Sequence, residues 1–147
     1  MIHFETATRI NRPVDDVFAF VADGRNAARW NSAVKSVEKL SEGPAGVGAT
    51  YFMVRDLPGR RAENKIEVTE YIPNERYAIR TTSGPTPFTY RYLFDAVDDG
   101  SATRIVLDAE ADLGLANVLG PLASVAVRRG VDENLQTLKR LLEADGG

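Results

Sequence analysis

The chain has 147 residues, of which 44% are hydrophobic and 27% charged, and its formal net charge is −3. This size predicts one globular domain over residues 1–147 with room for a core and a modest cavity. The negative charge argues against nucleic acid as a partner, and the absence of cysteine excludes disulfides, thiol catalysis and thiolate metal sites. The sequence shows neither a signal peptide nor ~20 consecutive apolar residues, so we expect a cytoplasmic protein without a transmembrane segment.

The N-terminal part predicts one strand and two short helices. Apolar and polar residues alternate over Ile2 to Ile10, which is typical of a strand with one buried face. Pro13 suits the first turn of a helix, and apolar residues then recur at helical spacing up to Val21. A second short helix is predicted to end near Trp30. This residue, the only tryptophan, is a candidate for either a core anchor or a ligand contact.

Six strand-like runs follow with no helix between them. They cover residues 34–40, 49–55, 62–72, 76–82, 88–94 and 103–110. Short turns join them, and Asp98-Asp99-Gly100 is a hairpin signal, so successive strands are predicted to be antiparallel neighbours. In the run 49–55 both rows are apolar, so the row of Tyr51 and Met53 and the row of Phe52 and Val54 remain alternatives for the inward face.

A long helix ends the chain, starting near Asn117 or at Gly120-Pro121 and running to about Glu143. Its second half carries an apolar stripe of Val131, Leu135, Leu138 and Leu142, which is predicted to rest on the sheet. The first half is apolar over a different arc, which includes Leu115, Leu119 and Leu122. Either the helix bends at Gly130 or this half is covered on both sides. It could close over a cavity mouth or contact a partner, such as a second copy in a homodimer.

Five short segments fit a known pattern in their order and spacing. They are Arg12-Pro13-Val14-Asp15-Asp16-Val17-Phe18, Trp30-Asn31 counted from Asp23, Gly46-Val47-Gly48, Asp99-Gly100-Ser101-Ala102-Thr103-Arg104 and Asn134-Leu135-Gln136-Thr137-Leu138-Lys139. Together they resemble the START-like or helix-grip superfamily (Bet v 1-like, SRPBCC), in particular its polyketide cyclase/dehydrase-like branch. The resemblance covers essentially the whole chain. It implies an α+β helix-grip fold in the order β-α-α-β6-α, with a curved seven-stranded antiparallel sheet around the C-terminal helix.

The resemblance also implies a hydrophobic pocket between the concave sheet face and the long helix. Residues on inward rows are therefore candidates for contact with a small hydrophobic molecule, although each could instead fill the core. The candidates are Trp30, Asn64, Tyr77, Phe88, Tyr90, Tyr92, Phe94 and Leu122. Tyr90 and Tyr92 are favoured, because a buried hydroxyl needs a partner and could orient a ligand. Asn64 could be a cavity amide or could bond neighbouring backbone.

The sequence offers little for catalysis. His3 is the only histidine and is predicted on the outward face, so Ser-His and Cys-His nucleophile systems and the usual zinc sites are excluded. No Gly-rich phosphate loop is present, so no cofactor is indicated. Glu70, in the row of Asn64, is the only candidate for an inward base, but its position near the strand end favours exposure.

Three functions remain open. The first is binding of a small hydrophobic or aromatic ligand that is polyketide-, lipid- or isoprenoid-like. The second is a cyclase/dehydrase or aromatase reaction in which pocket Tyr or Arg groups polarise a carbonyl. The third is a protein-interaction module with a vestigial cavity, which uses the first half of the long helix as its contact surface.

Overall fold

The computed structural model describes residues 2–57, 60–112 and 121–145 of the chain. Their elements are β1 (Ile2–Ile10), α1 (Val14–Val21), a 3-10 turn (Gly24–Asn26), α2 (Ala27–Trp30), β2 (Val34–Lys39), β3 (Thr50–Leu57), β4 (Arg60–Ile72), β5 (Arg76–Ser83), β6 (Phe88–Val97), a second 3-10 turn (Asp98–Gly100), β7 (Ala102–Ala111) and α3 (Pro121–Asp145). This order confirms the predicted α+β helix-grip fold.

All seven strands form one antiparallel sheet in the order β1-β7-β6-β5-β4-β3-β2. Strands β2 to β7 follow one another as neighbours, as their short connections predict. The first strand instead pairs with the last, with Ile2 opposite Ala111 and Ile10 opposite Thr103. The two edges of the sheet are therefore β1 and β2.

A β-bulge in β4 sets the position of Glu70. The pairing of β4 with β5 shifts register between Val68 and Glu70, so the alternation that buries Val68 does not continue to Glu70. Glu70 lies opposite Ala78, which lies opposite Arg91, and Arg91 Nε donates to Glu70 Oε2 at 2.6 Å. The bulge thus places Glu70 on the outer face in an ion pair, in line with the exposure expected near the strand end, so it is not an inward base.

Helix α3 packs its second half on the sheet, as predicted. The stripe of Val131, Leu135, Leu138 and Leu142 is buried in the core together with α1. The helix begins at Pro121 and is one element through Gly130. The predicted positions Leu115, Asn117 and Leu119 lie outside the described residues. Among the described residues, no helix combines the length and the apolar character that crossing a membrane requires.

The aromatic contacts of α1 fill the core at this end of the sheet. The Phe18 ring meets Phe94 of β6 edge-on at 5.1 Å between centroids and meets Tyr71 of β4 at 5.3 Å.

Hydrogen bonds of Arg12 hold the end of α3. Arg12 Nη1 donates to the carbonyl of Leu142 at 2.7 Å, and Thr103 Oγ1 donates to the carbonyl of Arg12 at 2.9 Å. The end of α3 is thereby fixed to the connection between β1 and α1.

Candidate functional site

A cavity of about 330 Å³ lies between the concave face of the sheet and the first half of α3. Its walls come from α2, five strands and α3, and most of the side chains are apolar or aromatic. The lining includes Trp30, Asn31, Met53, Arg55, Ile79, Thr86, Phe88, Tyr90, Tyr92, Ala111, Val127, Gly130, Val131 and Asn134. The volume is at the lower end of the range of ~300–1,000 Å³ that is usual for ligand sites.

Strand β6 supplies the aromatic part of the cavity wall. Its inward row is Phe88, Tyr90, Tyr92 and Phe94, as the alternation predicts. Phe88 and Tyr90 contact each other with 4.8 Å between ring centroids, and both line the cavity together with Tyr92. Phe94 continues the row beyond the cavity, where it packs on Phe18.

The hydroxyls of Tyr90 and Tyr92 are the notable polar groups of this wall. Neither hydroxyl has a hydrogen-bond partner among the residues that the structure describes. Burial raises the pKa of Tyr90, although the nearby positive charge of Arg55 opposes the shift, and burial raises the pKa of Tyr92 well above its ordinary value. Both groups therefore stay protonated at neutral pH, able to donate to a ligand oxygen or to accept from a donor.

Trp30 forms the α2 side of the cavity. Its ring meets Tyr92 edge-on with 6.3 Å between centroids, so this residue is a core contact and a cavity residue at once. The indole Nε1 is buried and has no hydrogen-bond partner within the described ranges.

Strand β3 supplies an arginine that the sequence interpretation missed. Tyr51 and Met53 are 1% and 3% exposed, so their row faces inward, and Arg55 continues it to the cavity. The Arg55 guanidinium lies 4.8 Å from the centre of the Phe88 ring. Arg55 Nη2 donates to Asn64 Oδ1 at 2.8 Å and to Thr86 Oγ1 at 2.7 Å. The sequence signal for Arg55 was its place in the same alternating row of the strand as Tyr51 and Met53.

Asn64 lies behind Arg55 and not in the cavity wall. Its side chain is fully buried, and Nδ2 donates to the carbonyls of Ser83 at 3.2 Å and Pro85 at 2.9 Å. Between them, Gly84 has φ +97°, and a Cβ there would lie 2.2 Å from the carbonyl oxygen of Glu63. Only glycine fits this close approach, so the amide of Asn64 holds the turn and Arg55 together.

Two of the predicted ligand contacts remain to be placed, Tyr77 and Leu122. Tyr77 is buried outside the cavity wall, stacked on Tyr92 with 6.0 Å between centroids, and burial strongly raises the pKa of its hydroxyl. The side chain of Leu122 lies outside the described residues. Of the eight candidates, the structure brings Trp30, Phe88, Tyr90 and Tyr92 together around the cavity.

A pair of asparagines ties α3 to the segment after α2. Asn134 Nδ2 donates to Asn31 Oδ1 at 3.0 Å, and Asn134 Oδ1 accepts from the backbone N–H of Ser32 at 3.1 Å. Both asparagines line the cavity. The sequence contained them in the segments Trp30-Asn31 and Asn134-Leu135, but it did not indicate that they meet.

Two further charged or titratable residues, Asp56 and His3, lie at the rim of the cavity and on the surface. Asp56 borders the cavity but is exposed, with its carboxylate 3.5 Å from Arg61. His3 is exposed, and its Nε2 lies 2.6 Å from Asp108 Oδ1. In the part of the chain that the structure describes, no three His, Asp or Glu side chains are grouped so that they could hold a metal ion.

A comparison with protein families gives one match over nearly the whole chain. A family model described as polyketide cyclase / dehydrase and lipid transport matches residues 1–143. A search of curated proteins gives no match.

Solved structures share the fold at low sequence identity. A protein from Thermus thermophilus, TTHA0849, superposes with a TM-score of 0.81 at 18% identity, over 99% of each chain. A START superfamily protein from Mycobacterium smegmatis gives 0.77 at 14% identity, over 97% of this chain and 98% of the other. The Zhui aromatase/cyclase from Streptomyces sp. R1128 gives 0.70 at 18% identity, over 97% of this chain and 92% of the other. At these identities the similarity establishes the fold alone.

Proposed function

This chain belongs to the polyketide cyclase / dehydrase and lipid transport family, and from that premise we propose that it binds a small hydrophobic or aromatic molecule between its sheet and α3. The observation that carries the proposal is the cavity itself, walled by Trp30, Phe88, Tyr90 and Tyr92. Apolar walls favour an apolar ligand by removing its surface from water, and a few polar groups set its orientation.

The volume supports a compact ligand. A cavity of ~150 Å³ is enough to take up benzene, and the cavity described here, at about 330 Å³, has roughly twice that volume. We therefore expect one or two fused rings or a short branched chain, which includes fragments of polyketide, lipid or isoprenoid character.

A reaction of the cyclase/dehydrase or aromatase kind is the second candidate, and one observation favours it. Arg55, Tyr90 and Tyr92 are donors on one cavity wall, and donors of this kind can polarise a ligand carbonyl. Among the residues that the structure describes, the carboxylate in the cavity lining is that of the exposed Asp56, which is poorly placed as an internal base. Binding without turnover is therefore the favoured function.

The first test is native mass spectrometry of the freshly purified protein, followed by denaturation and identification of any released molecule. A stoichiometric apolar compound would support the proposal and give its chemical class. An empty protein would then be titrated with 2-naphthol, a neutral fluorescent probe that has two fused rings. Absence of saturable binding would contradict the proposal.

A pair of leucine variants locates the binding. Ala111 lines the cavity and is buried, whereas Ala7 is exposed on the outer face of β1. Ala111→Leu adds carbon atoms to the cavity and is expected to weaken probe binding by roughly tenfold or more, the effect of about 1.4 kcal/mol. Ala7→Leu, the matched control, is expected to leave it unchanged. Equal affinity in both variants would place the probe outside this cavity.

The interaction-module hypothesis rests on the first half of α3, where Val125 is 56% exposed. A homodimer formed through this surface stays a prediction, as does the cytoplasmic location. Analytical ultracentrifugation of the wild type and of Val125→Asp tests the homodimer. A monomeric wild type would count against the dimer.

A further inference from the structure

We propose that the ligand is a flat, neutral molecule with two oxygen groups, and that these two oxygens bind separately to the hydroxyls of Tyr90 and Tyr92. The inference rests on the proposed function, since it names the chemical class of the molecule that the same cavity binds. Hydroxyl and carbonyl groups share the required chemistry, which is an uncharged oxygen that accepts a hydrogen bond.

Both tyrosine hydroxyls reach the cavity. Within the described ranges, Trp30 Nε1 is the buried side-chain nitrogen or oxygen that lacks a hydrogen-bond partner and is also sealed from water. The oxygens of Tyr90 and Tyr92 lack a partner there too, so each must keep some surface that a water molecule can touch. Burial raises the pKa of both residues and both line the cavity, so this surface faces the cavity.

The spacing along β6 favours two ligand oxygens over one shared oxygen. Tyr90 and Tyr92 are alternate residues on the inward face of the strand, where such residues lie ~6.6 Å apart. A single oxygen that accepts from both would require hydroxyls within ~5.6 Å of each other, twice the usual O–H···O distance. The rings of Phe88 and Tyr90, with 4.8 Å between centroids, lean toward each other, which moves Tyr90 away from Tyr92.

Ring contacts hold both hydroxyls in place before any ligand arrives. Tyr92 is stacked on Tyr77 with 6.0 Å between centroids and meets Trp30 edge-on at 6.3 Å, while Tyr90 contacts Phe88. Side chains held in this way lose little further freedom on binding. Aromatic rings prefer offset-stacked and edge-on contacts with one another, so the same wall favours a planar ligand over a flexible chain.

Other polar side chains of the cavity wall are already engaged. Arg55 Nη2 donates to Thr86 Oγ1 at 2.7 Å. Asn134 accepts from the backbone N–H of Ser32 at 3.1 Å and donates to Asn31 at 3.0 Å. The two tyrosine hydroxyls of β6 differ, because no described residue bonds to them. A buried hydroxyl without a partner is costly, and an oxygen of the ligand would remove that cost.

The uncharged state of both hydroxyls favours a neutral ligand. Their raised pKa keeps Tyr90 and Tyr92 protonated at neutral pH, and a hydroxyl can donate to a carbonyl oxygen or exchange hydrogen bonds with another hydroxyl. Moving a charged group from water into an apolar cavity costs far more than moving a neutral one. Neutral oxygens are therefore favoured over carboxylates.

The test compares 2,7-dihydroxynaphthalene with 2-naphthol by calorimetric titration of the wild-type protein at neutral pH. The diol can meet both tyrosine hydroxyls, whereas 2-naphthol can meet one. One additional neutral hydrogen bond contributes ~1 kcal/mol, so we expect the diol to bind about fivefold more tightly. Equal affinities, or tighter binding of 2-naphthol, would overturn the inference while leaving the proposed function intact.

The isomer 2,3-dihydroxynaphthalene tests the spacing of the two oxygens. It has the same composition as the 2,7-isomer, but its oxygens are adjacent and can reach one tyrosine. We expect it to bind about fivefold more weakly than the 2,7-isomer. Equal affinities of the two diols would overturn the assignment of separate oxygens.

Two variants that each lack one hydroxyl assign the second oxygen to Tyr92. Tyr92→Phe keeps the ring and is expected to remove the preference for the 2,7-diol over 2-naphthol. Tyr77→Phe is the matched control, because its hydroxyl is buried outside the cavity wall, and the preference should persist. A preference retained in Tyr92→Phe, or lost in Tyr77→Phe, would overturn the assignment.

The two proposals fail in distinguishable ways. Saturable binding of 2-naphthol without a preference for the 2,7-diol would leave an apolar container that does not select a second oxygen. No saturable binding of any of the three compounds up to their solubility limits would contradict both proposals. The comparison in the wild type needs no variant, so it stands even if Tyr92→Phe fails to fold.

Discussion

The two halves of the space between the sheet and α3 differ in what faces the sheet. At one end Leu135, Leu138 and Leu142 are buried in the same core cluster as Phe18 of α1 and Phe94, and the space is filled. At the other end the helix presents smaller residues, Val127, Gly130 and Val131, to aromatic side chains on the sheet, and a cavity remains.

This difference shows that β6 alone does not decide between core and cavity. Its inward row is aromatic along the whole strand, yet Phe94 is core and Phe88 lines the cavity. Whether an aromatic residue of β6 packs in the core or lines the cavity depends on the α3 residue opposite it, because close packing needs a long side chain on α3. The filled end therefore supplies stability, and the open end is available for binding.

The largest effect is expected from truncation at the filled end. Leu138 is fully buried, so Leu138→Ala should lower the free energy of unfolding by about 2–5 kcal/mol through lost burial and a new void. Urea denaturation measures this change. Leu40→Ala, at a position that is 46% exposed, is the control and should change stability by less than about 0.5 kcal/mol. Similar losses in both variants would contradict the comparison.

Alkaline pH should lower the stability of the folded protein through three buried tyrosines. Burial raises the pKa of Tyr77, Tyr90 and Tyr92 in the folded protein, whereas unfolded tyrosine titrates near ~10. Below pH ~10 both states are protonated and stability is unaffected. Above it the unfolded state loses protons first, so stability falls by up to about 1.4 kcal/mol per tyrosine for each pH unit. Urea denaturation from pH 8 to 11 measures the slope. A flat profile would show that these hydroxyls are not buried.

A smaller effect is expected from removing one hydroxyl at the cavity wall. Tyr90→Phe should leave stability nearly unchanged and weaken ligand binding by ~1 kcal/mol, the value of one hydrogen bond. Titration of the wild type and the variant with 2-naphthol measures the difference. Unchanged affinity would remove Tyr90 from the site.

The smallest effect is expected at Gly130, where α3 passes over the cavity. A Cβ built at this position meets no atom within 4 Å, so Gly130→Ala adds helix propensity without a clash. We expect a gain in unfolding free energy of about 0.5–1 kcal/mol. Gly43→Ala is the contrasting control, because Gly43 has φ +89° and alanine there is strained. Destabilisation by Gly130→Ala would show that the space beside the helix is already occupied.

The fold could be predicted because its signals are local and repeated. Clean alternation in β1 and β6, the hairpin signal at Asp98-Asp99-Gly100 and the leucine stripe of α3 each fixed one element correctly. The alternation of inward and outward side chains no longer predicts the face of a residue beyond a β-bulge, where one strand contains an extra residue. The bulge after Val68 turned Glu70 outward, and no residue in that run marks a bulge in advance.

The site was harder to predict because its geometry is not local. Both rows of β3 are apolar, so the sequence could not decide that Tyr51 and Met53 face inward, and Arg55 was therefore missed. Asn64 was correctly placed on an inward row. Its bonds to Arg55 and to the turn at Gly84 depend on a neighbouring strand, and no periodicity predicts them.

The pairing of β1 with β7 has a consequence for how the chain is made. The ribosome releases β1 first, but its hydrogen-bonding partner is the last strand to emerge. Until β7 emerges, β1 therefore lacks its partner strand, which is a condition under which nascent strands pair wrongly or aggregate. Closing this contact brings together residues that are distant in sequence, and such contacts slow folding. We therefore expect the sheet to be completed only after β7 has left the exit tunnel.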